Sequence, residues 1–200
     1  MRWDNLFDDL EGQLEQEFGA EEIDLRAEEE RLRLGRVSLR ERIGAIAAAQ
    51  PAGACYGIDI QLISGDSLRL RPTTFGKDWI AGDVLEESAR ACQCVLPLAA
   101  IAGLLLTSAQ VRESLEPERR SSTGPQLADR IGIAFVLRDL CRRRVAIEAH
   151  TSVGTLHGTI DRVGRDHLDL ALHEPGEVRR ARAVSGIRVV PLTQLSLVRL

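Results

Sequence analysis

Apolar and polar residues alternate with a period of two through the last third of the chain. Val145, Ile147 and Ala149 form one such run, Leu156, Gly158 and Ile160 a second, and Leu168, Leu170 and Leu172 a third. A period of two is the mark of a half-buried strand, because successive side chains point to opposite faces. Gly154 and the Gly164-Arg165-Asp166 step fall where tight turns are needed. With GIRVVPLTQLSLVRL at the end, the pattern predicts a meander of five short strands that rolls into a small barrel. The same pattern occurs earlier, over 55–63, 67–74, 79–85, 92–96 and 101–107. Its turns are Ser64-Gly65-Asp66, Gly76-Lys77-Asp78 and the polar stretch Glu86–Arg90.

A spacing of three and four replaces the alternation in three places, and there it predicts helices. Trp3, Phe7, Leu10, Leu14 and Phe18 line one face of an acidic arm over residues 1–36. Residues 38–50 open with Ser38 and Glu41 at capping-box spacing and bury Ile43, Ile46 and Ala47. Residues 125–144 open with Thr123 and Gln126 at the same spacing and place Leu127, Ile131, Ala134, Leu137 and Cys141 on one face.

The two halves repeat. Glu41-Arg42-Ile43-Gly44 matches Asp129-Arg130-Ile131-Gly132, and Gly76-Lys77-Asp78-Trp79-Ile80 matches Gly164-Arg165-Asp166-His167-Leu168, both at an offset of 88 residues. Val95-Leu96-Pro97-Leu98 matches Val189-Val190-Pro191-Leu192 after a longer loop in the second copy. The expected organisation is an arm at 1–36, a helix plus barrel at 37–107, a polar linker at 108–124 and a second helix plus barrel at 125–200. The fold class is mainly β with α. A barrel of this size is marginal alone, so the two copies are expected to pack on each other.

A helix followed by five bent strands is similar to the Sm and Sm-like (SH3-like) barrel. Gly65-Asp66-Ser67-Leu68-Arg69-Leu70, then Phe75 and Trp79-Ile80, looks like that family's first motif, and Gly154 through Leu172 is similar in the second copy. The resemblance implies two tandem Sm-like barrels and an RNA-associated function. The Asp and Asn with which such proteins hold uridine are replaced by Gly76 and Ile80, and by Gly164 and Leu168. The Arg-Gly step of the second motif is replaced by Leu96-Pro97-Leu98 and Val190-Pro191-Leu192. The shape-giving residues thus match and the base-clamping ones do not. MRWDNLFDDLE with VLPLAAI also resembles uncharacterised actinobacterial proteins of similar length, some labelled as transcriptional regulators; no helix-turn-helix pattern accompanies it here.

Charge is divided unevenly. Residues 1–34 hold 12 acids and 4 arginines, whereas residues 112–200 hold 15 arginines and 11 acids. Arg162, Arg165, Arg179, Arg180 and Arg182 form a candidate basic rim, suited to phosphate contact without sequence readout. Stacking of bases needs aromatic platforms, and Phe135 is the one aromatic residue after Trp79.

Cys92 and Cys94 are two apart, which on a strand places both thiols on one side and fits packing better than zinc, whose ligands favour a C-x2-C spacing. His150, His157, His167 and His173 all lie in the second repeat, where neighbouring strands would bring His157 and His167 together. No nucleophile motif or phosphate loop is present. The reading is a non-catalytic binding or adaptor protein, without metal or cofactor, that self-associates and docks a protein partner. The alternative is an RNA-associated regulator using the arginine rim. The acidic N-terminus, four cysteines and absence of a long apolar run predict a cytoplasmic protein with no membrane contact. Open strand edges and the stripe Trp3, Phe7, Leu10, Leu14 and Phe18 predict a homo-oligomer, most simply a dimer.

Overall fold

The computed structural model describes residues 22–50, 56–85, 92–116, 127–176, 180 and 182–200. The stripe from Trp3 to Phe18, the Thr123/Gln126 pair, the polar stretch 86–90 and Arg179 lie outside them.

Residues 22–34 form a helix, α1, which belongs to a unit of its own at Met1–Ser38. Its ion pairs, Glu22–Arg26, Glu28–Arg31 and Glu30–Arg33, follow helical spacing on exposed surface and add little stability. Ile23, Leu25 and Leu32 are exposed along it.

The second unit, Leu39–Leu200, begins with α2 (Leu39–Ala49), where Ile43 and Ile46 stand one turn apart and are fully buried. Five strands follow: β1 (Ile58–Leu62), β2 (Ser67–Phe75), β3 (Trp79–Val84), β4 (Cys92–Pro97) and β5 (Ile101–Leu105). Then come α3 (Ser108–Leu115) and α4 (Ile133–Arg143). The second set of strands is β6 (Ala146–Thr151), β7 (Gly154–Val163), β8 (His167–Leu172), β9 (Gly186–Pro191) and β10 (Leu195–Arg199). Ile58, Ile60 and Leu62 point inward while Asp59 and Gln61 point out, as the alternation requires. Gly65, at φ 92°, turns β1 into β2 in the left-handed region that suits glycine.

The ten strands of the described residues form one antiparallel sheet in the order β5-β1-β2-β3-β4-β10-β6-β7-β8-β9. The expectation of two separate closed barrels is therefore corrected. The sheet is open and continuous, because β4 pairs with β10 instead of each repeat closing on itself. The repeat itself is plain. Each half has the order fifth-first-second-third-fourth, and the halves meet where the fourth strand of one pairs with the fifth of the other. Backbone hydrogen bonds recur at the 88-residue offset: Gly76 N–H to Trp79 and Gly164 N–H to His167, both 2.8 Å, and Leu85 N–H to Arg69 and His173 N–H to His157. Across the longer loop, Leu98 N–H to Asp78 and Leu192 N–H to Asp166 also correspond.

Two local expectations are revised. The first part of the expected linker is helix α3, opened by a complete capping box of Thr107 and Gln110. The helix expected over 125–144 starts only at Ile133, after a 3-10 turn at Leu127–Arg130. Gly132 has an extended backbone and serves as the N-cap, which leaves Leu127 exposed rather than on the buried face.

The sheet wraps two cores. One holds Ile43, Ile46, Ile58, Ile60, Leu70, Ile80 and Leu96. The other holds Leu137, Ile147, Ile160, Leu168, Leu170 and Val190, together with Trp79 and Val95 from the first repeat. Among the described residues no helix is long and apolar enough to cross a membrane.

Candidate interaction surface

The strands at the junction of the repeats break the period of two. On β4, Cys94 and Leu96 enter the first core while Val95 enters the second. On β10, Leu197 enters the first core while Leu195 and Val198 enter the second. Both strands are thus buried on both faces, which explains why apolar residues stand side by side at Val95-Leu96 and Leu197-Val198 and why even Ser196 is buried. Their register places Val198 opposite Val95 and Arg199 opposite Cys94, and Leu200 N–H donates to Gln93 O at 2.9 Å.

The loop before β3 clasps the second repeat. Asp78 Oδ1 accepts the Ile133 N–H at 2.8 Å, supplying the cap that Gly132 lacks a side chain to provide. Trp79 Nε1 donates to Ile131 O at 2.9 Å, and Lys77 N–H donates to the same carbonyl at 3.0 Å. Arg40 ties the loop to the 3-10 turn: its Nε donates to Gly76 O at 2.7 Å and its guanidinium pairs with Asp129.

The matching loop of the second repeat is more exposed, although Arg138 of α4 donates to Gly164 O at 3.2 Å. The Asp166 side chain is 84% exposed and its carboxylate meets His167 Nδ1 at 2.8 Å. That hydrogen bond holds the Asp166 carboxyl below its usual range. The sequence placed Gly164 in a tight turn, where glycine ordinarily supplies a left-handed backbone, but neither Gly76 nor Gly164 has a positive φ. At both a ring lies against the Cα: an added Cβ would fall 2.0 Å from Trp79 Nε1 at Gly76 and 2.6 Å from His167 Cε1 at Gly164. Trp79 is buried and hydrogen-bonded, so it cannot retreat, whereas the exposed His167 ring can. Gly76→Ala is accordingly expected to cost about 1–3 kcal/mol, as other overpacked sites do. Gly164→Ala should stay within about 0.5 kcal/mol. Urea midpoints of the two variants check this, and equal losses would contradict it.

The two ends of the sheet are its exposed strands. Strand β9 repeats β4, yet Val189 is 60% exposed where its counterpart Val95 is 3% exposed. Ile187, two residues earlier on β9, is 63% exposed, and Leu105 on β5 at the far end is 66% exposed. The sequence reading placed none of these positions, nor Asp78, in a candidate site.

Among the described residues, those singled out from the sequence are dispersed. Arg165 occupies the turn at the His167 end of β8, and Arg162 lies opposite Asp169 close by. Arg180 and Arg182 are exposed in the loop that leaves and rejoins the sheet at the Leu172 end. His157 and His167 are not neighbours: His157 is level with His173 and His167 with Gly164. Six residues of strand separate those levels, roughly 20 Å. His157 and His150 instead flank Glu148, at 3.7 Å and 2.5 Å. His173 is buried, with Nε2 2.9 Å from Thr159 Oγ1. Burial pushes the Cys94 thiol up to about 12, and Cys92 Sγ lies 3.7 Å from Leu200 O. No group of three or more His, Cys, Asp or Glu among the described residues is arranged to hold a metal ion.

No family model, curated protein or solved structure matches the chain.

Proposed function

We propose that this chain is a non-catalytic binding protein that works through protein–protein contact and self-association at the open ends of its sheet. The observation that carries the reading is the contrast between Val95 and Val189. Equivalent residues on equivalent strands are buried in one repeat and bare in the other. A strand edge with unpaired backbone groups and apolar side chains favours pairing with another strand. The fifth-first-second-third-fourth order behind a leading helix supports reading each repeat as an Sm-like, SH3-like unit. Uridine binding does not follow from that likeness, since Gly76, Ile80, Gly164 and Leu168 offer no side-chain polar group for a base.

The test is affinity capture with the tagged chain from its native cell extract, with and without nuclease. The expected result is a set of protein partners that survives nuclease and is largely lost from a chain carrying Ile187→Lys and Val189→Lys. Capture that disappears with nuclease, or is indifferent to the two lysines, contradicts the reading.

A further inference from the structure

We draw no further inference here: the strongest candidate, the half-buried cluster of Glu148, His150 and His157 where β6 pairs with β7, is closed on itself, the carboxylate lying against both imidazoles, and is not arranged to hold a metal ion.

Discussion

Val95→Asp is expected to destabilise the protein by on the order of 4 kcal/mol, while Val189→Asp at the equivalent position changes stability by about 0.5 kcal/mol or less. Val95 is opposite Val198 at the junction and packs in the second core, so a carboxylate there has neither water nor a partner. The cost approaches the whole stability of an ordinary domain. Val189 projects from an open edge, and its carboxylate would remain hydrated. Guanidinium denaturation of both variants measures the difference. Similar losses at the two positions would mean that the two repeats do not differ in the occupancy of their fourth strands.

Trp79→Ala is expected to cost about 3–5 kcal/mol, the range seen when a large buried aromatic is truncated. Trp79 belongs to β3 of the first repeat, yet its ring packs in the core of the second and its Nε1 holds Ile131 O. Losing it removes apolar packing between the repeats and loosens the loop whose Asp78 caps α4. Trp79→Phe should cost less, because Lys77 N–H still satisfies Ile131 O. His167→Ala, the same change at the second loop, should have little effect, since that ring is half-exposed and its side-chain partner is the exposed Asp166. Thermal unfolding of the three variants gives the order, and a large loss at His167 would contradict the contrast between the loops.

The strands were readable because alternation survives wherever a strand has one face in a core and one in water. Ile58-Asp59-Ile60-Gln61-Leu62 shows it directly. The rule fails at β4 and β10, where both faces are covered and neighbouring positions are buried alike. The pairing that merges the two repeats was hidden for the same reason: hydrophobic pattern tells that a strand is buried, not which strand lies beside it. The late start of α4 was also obscure, since its cap comes from Asp78, 55 residues away. The repeat matched Asp78 with Asp166 and Trp79 with His167. Their different roles depend on what packs against each loop, which no local pattern records. For the same reason the described arginines among those chosen by charge do not gather, whereas the exposed Ile187, Val189 and Leu105 read in the sequence as ordinary strand residues.

The central claim is that the fourth strand is paired on both sides in the first repeat and on one side in the second. Residue-resolved amide hydrogen exchange on the dilute chain tests it most directly, because a doubly paired strand exchanges only through large-scale opening while the outward amides of an edge strand exchange freely. The prediction is strong protection throughout β4 and β10, with alternate amides of β9 and β5 exchanging rapidly. Exchange of β4 and β10 as fast as that of β9 would contradict the account.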